Sequence, residues 1–257
     1  MTDKVKLCND DGVLTVTMAR PEKKNALTND MYRILADALT SASTDPAVRV
    51  LLLCGEGDMY TSGNDIGDFA AVASGKVQGE RQVFRFLRGL AEFTKPIVAA
   101  VQGRAVGIGT TMLLHCDFVV LAEDAKLSTP FVSLALVPEA SSSILLPTRI
   151  GHLRAFEMFA LGEPVDAASA LAWGLGNRVV TLATLRGEAL AVARKLAEQP
   201  AGSLIATKRL MRDPAAIKAR IELESACFAE RLNSAEAKEA FAAFAERRPA
   251  NFRSVAG

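Results

Sequence analysis

Short apolar runs alternate with turns and helical segments in the first half of the chain. Four runs are rich enough in apolar or β-branched residues to predict strands: 13–18, 48–54, 96–101 and 118–121. The last three are almost continuously apolar, which is typical of strands covered on both faces. Helical spacing predicts a helix from Thr28 to Asp45 and another over 83–91, with a loop at 67–79 before the second. This alternation favours a mainly parallel α/β sheet with right-handed crossovers.

The last third of the chain changes character near Gly151 and becomes helical, with one short strand near 178–180. The helical patterns cover 155–161, 167–173, 185–199, 203–212, 215–232 and 235–246. On the last two helices, four apolar side chains are spaced to share a face: Phe228, Leu232, Phe241 and Phe244. This face favours a subunit interface, although the same pattern fits helices that pack only on their own domain. We expect a core over 1–198 and a C-terminal helical oligomerisation region over 199–257.

Composition and charge exclude several classes of protein. Of the 257 residues, 50% are hydrophobic, and 30 Lys and Arg balance 29 Asp and Glu. These values exclude a disordered, collagen-like or polybasic chain, and the net charge of +1 argues against nucleic acid or an anionic membrane as the main partner. Four cysteines lack the spacing of a zinc site or a disulfide framework. With no apolar leader and no run long enough to span a bilayer, the sequence predicts a cytoplasmic protein.

Histidine and metal chemistry find little support in the sequence. The two histidines, His115 and His152, do not accompany a nucleophile-elbow motif, which disfavours a hydrolytic triad. His115 lies in an apolar stretch and is expected to be a packed, hydrogen-bonded core residue. No zinc-protease, EF-hand or Walker motif occurs, so we expect neither a metal ion nor a redox cofactor.

Two glycine-marked turns follow predicted strands, at 60–66 and 103–110. Active sites of α/β proteins gather beyond the carboxyl ends of strands, where these turns lie. Glycine lets the backbone turn sharply, and a short helix starting near Gly107 would aim its free N–H groups outward. Two such donors could hold an oxyanion. By the glycine pattern alone, an ordinary structural turn is the commoner role.

Glu139 is the carboxylate that the pattern singles out as a candidate base. It follows the apolar run 131–138 and precedes a serine-rich segment at 140–143, which predicts the start of a helix. One role is a favourable charge at a helix N-terminus, worth about 0.3–1 kcal/mol when exposed. The other is a general base in an apolar pocket, where desolvation raises the pKa of the carboxyl group towards neutrality. The residues alone leave both roles open.

Several motifs, in a consistent order over nearly the whole chain, resemble those of the crotonase (enoyl-CoA hydratase/isomerase) superfamily. Residues 20–27 are similar to its R-P-x-x-x-N-A-L loop, and 62–66 and 103–109 are similar to its two oxyanion loops. Three further segments resemble the Δ3,Δ2-enoyl-CoA isomerase branch, above all the peroxisomal type: 128–131, 138–139 and 156–175. The resemblance implies a spiral of ββα units followed by helices that assemble trimers or dimers of trimers.

The resemblance also implies roles for individual residues. Glu139 matches the base, and the backbone N–H groups of Ser62 and Ile108 match the donors that hold the thioester oxygen. Substrate contacts are implied for Lys23, Lys24, Ala26, Leu27, Ser62, Gly63, Asn64, Asp65, Ile66, Gly107 and Phe131. Coenzyme A is expected along the loops 23–27 and 62–66, with one of the two lysines near its phosphates, unless that pair is only a solvated part of the loop. An acyl tunnel is expected against Phe69, Phe84, Ile108, Phe131 and Leu134.

The resemblance favours isomerisation over hydration. The typical hydratase of the family uses two glutamates, and the matching positions hold Thr111 and Phe131. Since adding water requires groups that orient the water and transfer protons, the loss of both carboxylates argues against hydration. Moving a double bond from C3=C4 to C2=C3 needs a single base, and the implied substrate is a fatty acyl-CoA thioester, as in β-oxidation. Hydration, acyl-CoA binding without catalysis and hydrolysis by Ser62 remain the alternatives.

Overall fold

The computed structural model describes residues 4–67 and 81–255. Within these segments the strands are β1 (Val5–Asp10), β2 (Val13–Met18), β3 (Val50–Gly55), β4 (Ile97–Val101), β5 (Arg104–Val106), β6 (Phe118–Ala122), β7 (Lys126–Ser128), β8 (Val165–Asp166) and β9 (Arg178–Val180). All four strands predicted from apolar runs occur, as does the short strand over 178–180. The loop predicted at 67–79 lies outside the described residues apart from Gly67, and so does Phe69.

The α-helices confirm the helical character of the last third of the chain. They are α1 (Asn29–Thr44), α2 (Gln82–Glu92), α3 (Ile108–Thr111), α4 (Ser142–Ile150), α5 (His152–Leu161), α6 (Ala167–Trp173), α7 (Leu185–Ala197), α8 (Ala201–Met211), α9 (Pro214–Leu232) and α10 (Ala235–Glu246). Thr28 caps α1 as expected, because its side-chain oxygen accepts the Met31 N–H. Turns of 3-10 helix cover Pro21–Lys23, Met112–His115, Val132–Leu134 and Phe252–Ser254.

A six-stranded sheet in the order β1-β2-β3-β4-β6-β9 forms the centre of the structure, and all pairs are parallel except β1 with β2. Every residue of β3 and β4 is buried. Leu52 and its same-face neighbours pack with α7, while Leu51 and Leu53 belong to the core formed with α1 and α2. Helices on both faces therefore explain why these strands are apolar at every position.

The antiparallel strand β1 is the element of this sheet that the apolar pattern missed. Only Val5 of its six residues is buried, so its sequence carries no apolar run. A two-residue turn joins it to β2, with positive φ at both Asp11 and Gly12. This is the backbone conformation that twists a tight hairpin correctly, and Asp-Gly is among the sequences that favour it.

A second, three-stranded sheet in the order β5-β7-β8 positions the second glycine turn. Strand β5 ends at Val106, directly before Gly107, and pairs with β7 in parallel. On its other side, Ala105 forms an isolated parallel bridge with Thr61, which belongs to the first glycine turn. The two glycine turns are thereby held side by side.

The C-terminal helices pack on their own chain more than their pattern suggested. Phe228 and Leu232 are buried in a cluster with Phe131, and Phe241 packs against it. Of the face that we expected to meet another subunit, Phe244 alone is exposed. Phe228 and Leu232 are therefore covered by their own chain, and the subunit interface itself stays a prediction. The division of the chain after residue 198 stays a prediction.

Asn25 orders the loop after β2, on which the first glycine turn rests. Its side chain is fully buried, and its oxygen accepts the Arg20 N–H at 2.8 Å. Its amide nitrogen donates to the carbonyl oxygens of Glu56, Met59 and Tyr60 at 2.8–3.2 Å. Asn25 makes these bonds from a backbone conformation with a positive φ of 54°, which is unusual for a residue other than glycine. One amide thus joins three segments of the chain.

Replacing Asn25 with Asp should destabilise the protein by about 3 kcal/mol or more, because it buries a charge against three carbonyl oxygens that lose their donor. Urea unfolding of Asn25→Asp at pH 7, beside the exposed control Asn9→Asp, measures the difference. A loss below about 1 kcal/mol would show that the loop does not depend on this side chain.

Candidate active site

The first glycine turn pairs with the loop that Asn25 orders. The Leu27 N–H donates to Gly63 O at 2.8 Å, and the Asp65 N–H donates to Leu27 O at 2.9 Å. The Ser62 N–H donates to Lys24 O at 2.9 Å. Ser62 therefore cannot supply the free backbone donor that the sequence assigned to it. That assignment is wrong because the amide already has an acceptor.

The Asn64 N–H takes the place that Ser62 was expected to fill. In a regular strand, alternate N–H groups point the same way, so Asn64 would follow Ser62 towards the neighbouring loop. The positive φ of Gly63, 89°, breaks this alternation, and the bonds to Leu27 come from the residues on either side of Asn64. The Asn64 N–H consequently points away from that loop and has no acceptor among the described residues.

The second glycine turn lies on the side to which the Asn64 N–H points. The bridge between Thr61 and Ala105 sets a parallel register, and three further residues along each segment lead to Asn64 and Ile108. The approach is close, because a Cβ on Gly63 would lie 2.8 Å from Val106 O. Only glycine fits there.

Helix α3 starts at Ile108 as the sequence predicted, with Gly107 as its N-cap. Gly107 has φ 56° and ψ −117°, a conformation open to glycine, and its N–H donates to Ser128 O at 2.9 Å. The Ile108 N–H, in the first turn of the helix, has no acceptor in the part of the chain that the structure describes. Two unpaired amides, from Asn64 and Ile108, therefore lie on adjacent segments.

Glu139 is buried, with 8% of its surface exposed, and its Oε1 atom has no hydrogen-bond partner among the described residues. Burial raises the pKa of Glu139 to about 8, with a further upward contribution from Glu224 and an opposing one from Arg81. Of the two roles that the sequence left open, the exposed helix-terminal charge is excluded. The group has the burial and pKa of a general base.

Tyr32 connects the base with the first glycine turn. Burial raises the pKa of Tyr32, and the Glu139 carboxylate raises it further, so these two side chains interact electrostatically. The Tyr32 hydroxyl donates a hydrogen bond to Asn64 Oδ1. The charge of Glu139 thus acts on the same hydroxyl that binds the first glycine turn. Tyr32 could not be selected from the sequence, since its position in α1 matches an ordinary core residue.

Arg20 fixes the first glycine turn from the other side. Its guanidinium donates to Asp65 Oδ2 at 2.6 Å and to Ala26 O at 3.1 Å. Lys24 pairs with Asp58 at 2.7 Å on the surface, and Lys23 is exposed. The lysines therefore lie beside the turn, and their contact with coenzyme A stays a prediction.

Phe131 lies away from solvent rather than in an open channel. Its ring centroid is 6.2 Å from that of Phe159, and only 6% of the residue is exposed. Thr111, the other position where a hydratase would carry glutamate, is fully buried and its hydroxyl has no partner among the described residues. Phe84 and Leu134 are half-buried, as is Ile66. The acyl tunnel stays a prediction.

Hydrolysis by Ser62 is not supported by either histidine. His115 is fully buried, its Nε2–H donates to Ala140 O at 2.8 Å, and its Nδ1 accepts from Arg212 at 3.0 Å. Burial, followed by the positive charge of Arg212, lowers the pKa of His115 to about 3. His152 is exposed and stacks on Phe156. The prediction of a hydrogen-bonded core histidine at 115 is confirmed, and both of its nitrogens are engaged.

Within residues 4–67 and 81–255, no group of three or more His, Cys, Asp or Glu side chains is arranged to bind a metal ion. Across the same residues, none of the helices combines the length and the apolar character that crossing a bilayer requires.

Comparisons with known proteins agree with the fold. A family model described as "Enoyl-CoA hydratase/isomerase" matches residues 9–255. The Rattus norvegicus protein named "Enoyl-CoA delta isomerase 2" is 34% identical over 251 residues, which are 95% of this chain and 64% of the relative. The Escherichia coli "1,2-epoxyphenylacetyl-CoA isomerase" is 33% identical over 250 residues, 95% of each chain. The chain therefore spans slightly less than two thirds of the rat relative.

Among solved structures, an enoyl-CoA hydratase/isomerase from Pseudoalteromonas atlantica T6c superposes with a TM-score of 0.92 at 40% identity. The match covers 97% of this chain and 100% of that one. The spiral α/β fold implied by the sequence motifs is thereby confirmed.

The raised pKa of Glu139 predicts an unusual dependence of stability on pH. Between pH 4.5 and about 8 the unfolded chain loses the proton that the folded chain keeps, so stability falls as pH rises, by about 1.4 kcal/mol per unit. Glu139→Gln removes this slope and should be more stable than the parent at pH 8, by on the order of 3 kcal/mol. Urea unfolding at pH 5 and pH 8 measures it, with the exposed Glu157→Gln as control. Parallel pH profiles for parent and Glu139→Gln would contradict the assignment.

Proposed function

Because the chain belongs to the crotonase, or enoyl-CoA hydratase/isomerase, superfamily, we propose that it moves a C3=C4 double bond of a fatty acyl-CoA to C2=C3. Glu139 removes a proton from C2, and the electron pair is delocalised over C2 to C4 and the thioester carbonyl as a dienolate. The proton then returns at C4. The observation that carries this proposal is the buried carboxyl group of Glu139, whose Oε1 has no partner among the described residues and whose pKa is about 8. A base with a pKa near the working pH is suited to both proton transfers.

The thioester oxygen becomes negatively charged in this reaction, and we assign its stabilisation to the N–H groups of Asn64 and Ile108. Both amides lack an acceptor among the described residues, and the parallel register brings their segments together. Each fixed donor contributes about 3 kcal/mol of transition-state stabilisation. Arg20 and Tyr32 hold the first segment through Asp65 and Asn64.

Hydration of a 2-enoyl-CoA is the competing activity in this superfamily, and the site favours it less. Hydration requires a second group that orients water and transfers protons. Thr111 and Phe131, at the positions that match the two hydratase glutamates, carry no carboxylate. The nearby carboxylate of Glu224 already accepts two backbone N–H groups. A single base is therefore the simpler fit.

Coenzyme A lies, in this proposal, along the loops 23–27 and 62–66. Lys23 is exposed, and the ion pair of Lys24 with Asp58 lies on the surface. Exposed pairs of this kind contribute about 0–1 kcal/mol, so a phosphate group can replace Asp58 at little cost. Either lysine can then contact the phosphates.

Self-association as a trimer or a dimer of trimers completes the proposal. Helix α8 has no buried residue, and Leu210 and Met211 at its end are 90% and 79% exposed. On α5, Leu153 and Phe156 are also exposed. Large apolar side chains grouped on a surface are typical of a protein interface.

Replacing the base tests the reaction. The parent protein should isomerise 3-enoyl-CoA, with kcat/KM rising about tenfold per pH unit up to about pH 8, because only ionised Glu139 accepts a proton. Glu139→Gln should lower kcat by about 10²–10⁴-fold, and Glu157→Gln should not. Absorbance assays with 3-enoyl and 2-enoyl thioesters measure both activities. Rapid hydration that persists in Glu139→Gln would overturn the proposal, as would tight acyl-CoA binding without turnover.

Placing a charge at the end of α8 tests the association. The parent should have the mass of three or six chains by light scattering, whereas Leu210→Glu should shift the mass towards that of one chain, because a charge in an apolar contact is costly. Leu7→Glu, at an exposed leucine of β1, serves as the matched control. A parent that has the mass of one chain at all concentrations would refute this part.

A further inference from the structure

Glu224 is a buried carboxylate on α9, a helix whose other acidic side chain nearby, Glu222, is exposed. Only 6% of Glu224 is exposed. Its Oε2 accepts the Ser141 N–H at 2.6 Å, and its Oε1 accepts the Ser143 N–H at 2.9 Å. Each carboxylate oxygen therefore has one backbone donor, which is the arrangement that stabilises the ionised form.

The segment that Glu224 contacts is the turn that carries Glu139. Ala140 and Ser141 both have a positive φ, 61° and 59°, a conformation that costs about 1–2 kcal/mol for a residue with a side chain. Consecutive residues keep such a backbone only where surrounding contacts fix it. Here the contacts are Glu224 on one side and the bond from His115 to Ala140 O on the other.

The hydrogen bond from His115 is itself supported by the helical C-terminal part of the chain. Arg212, which directly follows α8, donates to His115 O and to His115 Nδ1, both at 3.0 Å. Because Nδ1 accepts a hydrogen bond from Arg212, the ring proton must be on Nε2, which donates to Ala140 O. Both supports of the turn thus depend on helices far along the chain, because α8 begins at Ala201 and α9 at Pro214.

We propose that Glu224 is a positioning residue for Glu139: it fixes the turn that carries the base and places a negative charge beside it. The proposal rests on the role of Glu139 as the base. Helix α9 then positions the base, whereas the two glycine turns supply the backbone donors for the thioester oxygen.

The charge of Glu224 gives the positioning role a consequence that a merely structural role lacks, because it acts on the titration of Glu139. Three side chains from three elements act on Glu139 or are acted on by it: Arg81 before α2, Tyr32 on α1 and Glu224 on α9. Arg81 lowers the pKa of Glu139 and Glu224 raises it. Burial raises the pKa of Glu224 itself, while the bonds from Ser143 and Ser141, and the charge of Arg220, lower it. Removing the charge of Glu224 must therefore shift the titration of Glu139 to lower pH.

Glu224→Gln tests the charge, and Glu222→Gln on the same helix is the matched control. We expect Glu224→Gln to lower kcat for isomerisation by about 10- to 100-fold with little change in KM, because the base is displaced and the coenzyme A loops are not. The midpoint of its kcat/KM profile should move to lower pH. Glu222→Gln should match the parent in both. A Glu224→Gln variant with reduced thermal stability but an unchanged midpoint would overturn the proposal.

Glu224→Asp tests the position separately, because it keeps the charge and shortens the side chain. We expect faster hydrogen exchange at the Ser141 and Ser143 amides and a lower kcat, with a midpoint close to that of the parent. This variant also serves if Glu224→Gln does not fold. Parent-like exchange rates and kcat in Glu224→Asp would contradict the positioning role.

An infrared titration of the Glu139 carboxyl band, taken as the difference between parent and Glu139→Gln, makes the test independent of activity. If the parent does not isomerise 3-enoyl-CoA, the proposed function fails, yet the band still reports whether the residue at 224 controls the titration at 139. We expect its midpoint to fall when the difference is measured in a Glu224→Gln background. An equal midpoint in both backgrounds would refute the inference.

Discussion

The cost of holding one ionisable carboxyl group away from water is the constraint on which the site depends. Glu139 loses hydration on folding, and its Oε1 gains no hydrogen bond among the described residues in exchange. A group in this condition has a pKa near 8, which suits the removal of a proton from carbon that we propose for it. The burial of Glu139 therefore destabilises the turn that carries it, and other contacts must hold that turn in place. The contacts of Glu224 and His115 with that turn supply the compensation.

The sheet explains why the two proposed oxyanion donors lie on adjacent segments. Buried parallel strands end at one edge, and the glycine turns that follow β3 and β4 are joined there by the bridge between Thr61 and Ala105. Gly63 reverses the direction of the next amide, and Gly107 leaves the first N–H of α3 free. Tyr32 then links this edge to Glu139. In the proposed mechanism, the backbone supplies two hydrogen-bond donors and a single side chain transfers the proton.

How much could be predicted from the sequence follows from how local each signal is. The buried strands were predictable because both faces are covered, whereas β1 has a single buried residue and the strands of the small sheet are two or three residues long. The choice between the Ser62 and Asn64 amides depends on the φ of Gly63, which the sequence pattern does not specify. Glu224 binds the backbone of Ser143 and Ser141, which precede it in the chain by 81 and 83 positions. A charged residue on an amphipathic helix is normally expected to be exposed, so the sequence pattern does not reveal this contact. The burial of Phe228 and Leu232 within their own chain could not be predicted for the same reason, because an apolar face does not reveal what covers it.

In the proposed reaction one buried carboxyl group both removes and returns the proton, and an isotope transfer experiment shows whether it does. A 3-enoyl-CoA carrying deuterium at C2 is converted in ordinary water in a single turnover, and the product is analysed by mass spectrometry and NMR. We expect part of the deuterium to appear at C4, because the buried Glu139 returns it before it exchanges with water. Product formed at a normal rate with no deuterium at C4 would show that a separate donor, or bulk water, supplies that proton, and would contradict the claim.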